Sequence, residues 1–225
     1  MEAYQRDFIE FMVRSGVLTF GDFVTKSGRP TPFFINTGQY DTGAKMARLG
    51  AFYAQALIER LPGGFDCLFG PAYKGIPLVV ATAMALAQRH GQDAPFAFNR
   101  KELKDHGEGG ALVGRKPKDG DRIVIVEDVT TAGTSVRESA ALLRAAARVE
   151  LVGLIVSVDR QERGQSDRGA LAELREAFGL EAFAIVTLAE IVAHLHNRPV
   201  DGRVVLDDRT LESIDQYRAQ YGAVD

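Results

Sequence analysis

The chain of 225 residues holds one cysteine, Cys67, so no intrachain disulfide can staple it. Cys67 sits in the apolar stretch 65–69 and reads as a small buried residue rather than a nucleophile. Histidine is also scarce. The four present are scattered and form no His/Cys cluster with metal-ligand spacing. Positive charge is not in excess: 27 Lys+Arg against 30 Asp+Glu leave a net charge of −3, which argues against a general nucleic-acid binder. No apolar run approaches the roughly 20 residues that span a bilayer, so no membrane role is expected. The opening Met-Glu-Ala-Tyr-Gln-Arg-Asp is charged and lacks the apolar centre of a secretion signal. With the lone cysteine, this leads to the expectation of a cytoplasmic protein. Internal repeats and low-complexity segments are missing too.

What is present is ordinary for a globular protein, with 46% hydrophobic and 25% charged residues, enough for one α/β domain with an appendage. Apolar spacing predicts a helix over 4–15, extended segments over 17–24 and 33–36, a two-proline turn over 26–32, and a helix over 45–61. From there the pattern alternates regularly. Strands are expected at 67–69, 95–99, 122–127, 151–158 and 182–186, and helices at 75–89, 136–147 and 171–178. Such alternation implies right-handed crossovers and a parallel sheet of about five strands, covered by helices on both faces. Residues 101–120 show no strong period and read as a functional lid or a disordered loop.

The most specific run is Ile123-Val-Ile-Val-Glu-Asp-Val-Thr-Thr-Ala-Gly-Thr-Ser135. β-Branched residues lead into two adjacent carboxylates, then a hydroxyl-rich turn and a helix start. Backbone N–H groups at a helix start are unpaired and partly positive, so they attract a phosphate. Thr130, Thr131, Thr134 and Ser135 can add hydroxyl donors, and Gly133 lets the backbone approach an anion. Glu127 and Asp128 would repel that phosphate, so they suit sugar hydroxyls or metal-bound water. A phosphate site beside a polyol site points to a ribose 5-phosphate. The bland alternative is a plain strand-to-helix turn with Ser135 or Thr134 as N-cap. No Gly-Lys-Ser/Thr follows, and no Gly-x-Gly-x-x-Gly, so the P-loop and dinucleotide readings fail.

This run resembles the 5-phosphoribosyl 1-diphosphate (PRPP) signature of the type I phosphoribosyltransferases. Four further segments fit that family in order. Lys26-Ser-Gly-Arg, followed by Phe33-Phe34-Ile-Asn36, resembles its hood. Gly70-Pro-Ala-Tyr73-Lys74-Gly-Ile-Pro77 resembles its pyrophosphate loop, which commonly holds a cis peptide. Arg100-Lys101-Glu-Leu-Lys104-Asp-His106-Gly-Glu-Gly-Gly110 closely resembles the catalytic loop of the orotate phosphoribosyltransferase branch. Asp159-Arg160-Gln-Glu-Arg-Gly164 resembles the segment that places an arginine on orotate. A carboxylate distinguishes orotate from uracil, and a guanidinium can grip it through two parallel hydrogen bonds. Read without the family, Arg160 could instead pair with Asp159 or Glu162 at the surface, and Arg163 fits that role better.

The resemblance implies transfer of the phosphoribosyl group of PRPP to orotate, in pyrimidine nucleotide synthesis, with Mg²⁺ as cofactor. It implies a hood subdomain and a homodimer whose lid is shared between subunits. The chain would divide into helix and hood over 1–64, a PRPP-binding core over 65–190 with a lid at 100–120, and a tail over 191–225. Catalytic roles fall to Lys74, Arg100, Lys101, Lys104 and His106. PRPP contacts are implied for these five, for Lys26 and Tyr73, and for Glu127, Asp128, Val129, Thr130, Thr131, Ala132, Gly133, Thr134 and Ser135. Orotate contacts are implied for Lys26, Phe33, Phe34, Thr131 and Arg160. Adjacent strand residues point to opposite faces, so at most one of the two phenylalanine rings can stack on the base. Three positions depart from the family's usual pattern: Glu127 for Asp, Thr130 for an aliphatic residue and Ser135 for a small apolar one. Two rivals stay open at this point: a phosphoribosyltransferase for another base, and a PRPP-sensing regulator that binds nucleic acid without catalysis.

Overall fold

A computed structural model describes residues 1–25, 28–101, 110–130 and 132–224. Helix α1 (Ala3–Arg14) buries Phe8, Ile9, Phe11 and Met12 at helical spacing. Strands β1 (Leu18–Val24) and β2 (Pro30–Ile35) pair antiparallel into a hairpin. The turn expected over 26–32 is therefore shorter, and both prolines lie in β2. A two-stranded ribbon leaves one side of each strand unpaired, so a missing N–H is tolerated there. A 3₁₀ turn at Thr37–Gln39 leads to α2 (Gly43–Arg60). Then follow β3 (Cys67–Gly70), α3 (Gly75–His90), β4 (Phe96–Asn99), β5 (Leu112–Gly114), β6 (Arg122–Val126), α4 (Thr134–Ala146), β7 (Glu150–Asp159), α5 (Ala170–Phe178) and β8 (Glu181–Thr187). Helix α6 (Leu188–Leu195), the short pair β9 (Pro199–Val200) and β10 (Arg203–Val204), and α7 (Asp208–Tyr221) close the chain.

The central sheet has the order β5-β4-β3-β6-β7-β8, parallel throughout except between β4 and β5. Side-chain alternation makes its two cores. Leu68, Val124, Val126 and Ile155 face the layer of α2 and α3, while Phe69, Ile123, Ile125 and Val156 face α4 and α5. The near-continuous apolar runs of β3, β6 and β7 are those of strands covered on both faces. Among the described residues no helix is long and apolar enough to cross a membrane.

Four features differ from the sequence reading. The sheet has six strands because the span 101–120 contains β5, only three residues long and too short for any period to register. The Arg100 N–H donates to the Ala111 carbonyl at 2.8 Å, so the chain is pinched together there. The span 100–120 expected as a lid thus contains a strand, and its residues 102–109 lie outside the described residues. The expected tail holds helices. Helix α6 starts at a reciprocal Thr187–Glu190 capping box, a signal that was legible. Helix α7 buries only Ile214 and Tyr217, too thin a stripe to read as periodic, and it packs on β2. Finally, α2 packs along α3, so the helical cover of the sheet begins ahead of residue 65.

Helices α2 and α3 cross closely at Gly50. A Cβ there would lie 2.4 Å from the Ala81 carbonyl oxygen and 2.9 Å from its Cβ. Gly50→Ala should therefore lower stability by about 1–3 kcal/mol, although alanine is the better helix former. The check is the urea midpoint, and a midpoint equal to or above the parent's would refute the close crossing.

Candidate active site

The chain runs from β3 outward to β4 on one side, and from β6 outward to β7 and β8 on the other. The order therefore reverses between β3 and β6, where doubly wound sheets open a crevice at the carboxyl ends of their strands. Two loops meet there. One follows β3 and enters α3, and the other follows β6 and enters α4. Both helices aim their N-termini at the crevice, and neither is capped by a side chain. Two sets of partly positive N–H groups thus face the same opening. Gly133, at φ 69°, makes the sharp entry into α4, a backbone region that side chains disfavour. Neither Ser135 nor Thr134 is the N-cap.

The acid pair is held from beneath. The fully buried Tyr53 of α2 donates its hydroxyl to the Glu127 carbonyl at 2.7 Å. Ser157 of β7 donates its hydroxyl to the Asp128 carbonyl at 2.6 Å. The side chains then diverge. Asp128 Oδ2 accepts from Lys74 Nζ at 2.9 Å and from Thr37 Oγ1 at 2.7 Å. Lys74 Nζ also reaches Thr37 Oγ1 at 3.0 Å. The β3 loop, the β6 loop and the 3₁₀ turn therefore converge on one carboxylate. A cavity of about 180 Å³ opens beside it, lined by Tyr40, Met46 and Leu78 as well as Thr37, Lys74 and Asp128.

Glu127 turns the other way. Its Oε2 accepts from Ser135 Oγ at 2.7 Å, and its Oε1 accepts from the Asp128 N–H at 3.1 Å. The first acid thus bonds within its own loop, with the Ser135 hydroxyl as its donor. Burial is the main reason that the Glu127 carboxyl is pushed up to about 7, with the Asp128 charge adding to it against the Ser135 and Asp128 N–H bonds. Burial also opposes the Asp128 anion, but the Lys74 and Thr37 hydrogen bonds outweigh it and Asp128 titrates below its ordinary range. Near neutral pH the pair holds one firm negative charge, on Asp128.

The remaining residues fall around this centre. The peptide between Ala72 and Tyr73 is cis, and the Ala72 N–H is anchored on Asn99 Oδ1 at 2.7 Å. Tyr73 is exposed. Arg100 and Lys101 follow β4 on the same rim. Val129, Thr130 and Ala132 line the β6 loop, where Thr130 Oγ1 accepts from the Gly133 N–H at 3.2 Å. Phe33 is buried, with its ring edge-on to Tyr217, whereas Phe34 is exposed, so the two rings do face opposite ways. Arg160 follows β7. Its Nη2 lies 2.6 Å from Glu162 Oε1, the pairing that the residues alone had allowed, but in a half-buried setting over the Phe33 ring. Arg163 instead donates to the carbonyls of Gly222 and Gln220. Burial raises the Cys67 thiol, which keeps it inert. Lys26, Lys104, His106 and Thr131 lie outside the described residues. Sequence reasoning did not single out Thr37, Tyr53, Asn99 or Ser157, because each is an unremarkable residue type whose partner lies far along the chain.

Residues 36–183 match the family model "Phosphoribosyl transferase domain". The chain is 54% identical to the orotate phosphoribosyltransferase of Clostridium beijerinckii, over 99% of this chain and 100% of that protein. It is 55% identical to that of Lachnoclostridium phytofermentans, over 99% of each. A crystal structure of orotate phosphoribosyltransferase from Francisella tularensis superposes with a TM-score of 0.83 at 37% identity, covering 96% of this chain and 100% of that one.

The raised Glu127 carboxyl has a pH signature. Its unfolded value is 4.5 and its folded value about 7, so the folded state holds an extra proton between them. That binding favours folding less and less as pH rises through the window, and stability should fall by at most about 3 kcal/mol from this group. Asp128 acts in the opposite sense and at lower pH: its contribution is complete above its unfolded value of 3.8 and fades as pH falls below it. Glu127→Gln should flatten the decline in Tm between pH 5 and 7. A variant whose Tm still declines as steeply as the parent's would show that Glu127 is not the group responsible.

Proposed function

The chain belongs to the phosphoribosyltransferase family, in its orotate phosphoribosyltransferase branch, and on that premise we propose how its residues carry the reaction. The enzyme transfers the 5-phosphoribosyl group of PRPP to orotate and releases orotidine 5′-monophosphate and diphosphate, a step of pyrimidine nucleotide synthesis. The bond from the anomeric carbon to the diphosphate oxygen breaks as the bond to a ring nitrogen of orotate forms. Positive charge builds on the ribose and negative charge on the departing diphosphate.

The observation that supports the assignment of roles is the meeting of Lys74 and Asp128 at 2.9 Å across the switch point. It puts a cation on the side of the β3 loop and an anion at the end of β6, matching the two charges that develop in the reaction. The β6 loop and the α4 N-terminus, through Thr130 to Ser135, take the 5-phosphate. Asp128 takes ribose hydroxyls, and its charge favours the electron-poor ribose. Glu127, together with Ser135, shapes the loop. Lys74, Tyr73 and Lys26 take the diphosphate, joined by Arg100, Lys101, Lys104 and His106 when the lid closes and excludes water. Phe33, Phe34 and Thr131 border the base, and Arg160 grips its carboxylate. Orotate is an acidic imide, so no general base is assigned.

Mg²⁺ fits this donor set through oxygen alone. Among the described residues no three His, Cys, Asp or Glu side chains stand together as a cage. A hard cation would thus be held by PRPP oxygens and water, with Asp128 accepting hydrogen bonds from that water. When bound, it would neutralise charge on the leaving diphosphate. A cytoplasmic homodimer completes the reading. Arg100, Lys104 and His106 then serve one site and Lys101 its partner's. The lone Cys67 suits a reducing compartment.

Diphosphate release should be rapid with orotate and negligible with uracil or hypoxanthine, and turnover of hypoxanthine but not orotate would overturn the reading. Lys74→Ala should lower kcat about 10²–10³-fold with a lesser effect on the KM for orotate. An unchanged kcat would remove Lys74 from the leaving-group role. For the shared lid, mixing Lys74→Ala with Lys104→Ala protein should regain activity in the mixed dimers, and no recovery would argue against sharing between subunits.

A further inference from the structure

Glu162 is the hub of a half-buried cluster at the end of β7. Its Oε2 lies 2.5 Å from Arg29 Nη2, on the hood hairpin. Its Oε1 lies 2.6 Å from Arg160 Nη2 and accepts from the Tyr217 hydroxyl of α7 at 2.7 Å. The Arg160 guanidinium also rests over the Phe33 ring, 5.1 Å from its centroid, and Arg29 lies over the rings of Tyr217 and Tyr221 at 5.3 and 4.8 Å. Three separate stretches of chain, the hood, the end of β7 and α7, thus meet on one carboxylate that is almost fully buried.

We propose that Glu162 is the positioning residue of the base site: it holds Arg160 in the orientation that grips a carboxylate-bearing pyrimidine, while Arg29 keeps the pair from becoming neutral. This rests on the assignment of Arg160 to the orotate carboxylate. A free arginine side chain carries considerable rotamer entropy, which an ordered one has already lost before substrate arrives. Glu162 and the Phe33 ring supply that order. A simple Arg160–Glu162 pair would, however, carry no net charge and would not draw a second carboxylate. Arg29 resolves this. Two guanidiniums share one Glu162, so the trio carries one surplus positive charge, the complement of one substrate carboxylate. The Nε atoms of Arg29 and Arg160 are buried without a hydrogen-bond acceptor among the described residues, so neither guanidinium is saturated by its present partners.

Charge and positioning give opposite signs for one substitution. Glu162→Gln removes a negative charge next to the base site, so a purely electrostatic role predicts tighter orotate binding. Positioning predicts weaker binding, with the KM for orotate raised about three- to tenfold, the worth of one hydrogen bond. The KM for PRPP should stay within about twofold, since among the described residues no hydrogen bond or ion pair joins the cluster to the β3 or β6 loop. In an Arg160→Ala background, Glu162→Gln should add nothing further. An orotate KM that is unchanged or lowered in Glu162→Gln, while Arg160→Ala raises it, overturns the inference and leaves the Arg160 assignment standing. An orotate KM unaffected by Arg160→Ala sinks that assignment, and the inference with it. Where Glu162→Gln fails to fold, Tyr217→Phe decides, because it removes one hydroxyl from the same carboxylate. A raised orotate KM with an unchanged PRPP KM supports the hub, and an unchanged orotate KM refutes it.

Discussion

The hydrogen bond from the Tyr53 hydroxyl to the Glu127 carbonyl is the point on which the active-site architecture turns. A buried carbonyl without a donor is costly, and at the end of β6 the Asp128 carbonyl accepts the Ser157 backbone N–H at 2.8 Å while the Glu127 carbonyl depends on a side chain. Tyr53 from the helical layer and Ser157 from the neighbouring strand satisfy the two carbonyls of the acid pair. The backbone is thereby fixed from below, and the side chains of Glu127 and Asp128 are free to point in different directions. That divergence sets their different charge states. Asp128 meets Lys74 and Thr37 and stays ionised, while Glu127 folds back into a dry loop and keeps its proton to near neutrality.

Two departures from the family's usual sequence find a common explanation in the loop. Glu127 is one methylene longer than the usual aspartate, and Ser135 carries a hydroxyl where a small apolar residue is usual. The 2.7 Å bond between Glu127 Oε2 and Ser135 Oγ links them. The longer acid needs a donor in the loop, and the serine provides it.

Much of the fold was legible because parallel strands covered on both faces write nearly continuous apolar runs, as in β6 and β7. The loops of the site were legible for a related reason. Each concentrates unusual residue types in a few positions, as in Glu127-Asp128, Tyr73-Lys74 and Asp159-Arg160. The supports of those loops were not. Tyr53 acts across 74 residues, Thr37 across 91 and Arg29 across 133, and no local pattern marks a tyrosine, threonine or arginine for such a task. β5 was hidden by its length, and α7 by a face that buries only Ile214 and Tyr217. Arg160 shows the limit most directly. The motif located it, but its partners Phe33 on β2 and Tyr217 on α7 emerge only when the chain is folded.

The short antiparallel strand β5 has a consequence for how the molecule behaves in a crowded solution. Open sheet edges recruit strands from other molecules and seed aggregation. Here β5 covers the flank of β4 with only three residues and is followed at once by Arg115, Lys116, Pro117 and Lys118, a charged, proline-broken stretch that offers little to pair with. At the opposite flank, Gln5 of α1 donates to the Ile185 carbonyl at 2.8 Å and Arg175 of α5 to the Ala182 carbonyl at 2.6 Å, occupying two acceptors of β8. Strand addition is thus hindered at both margins of the sheet, at one by brevity and charge, at the other by side chains standing in for a neighbouring strand.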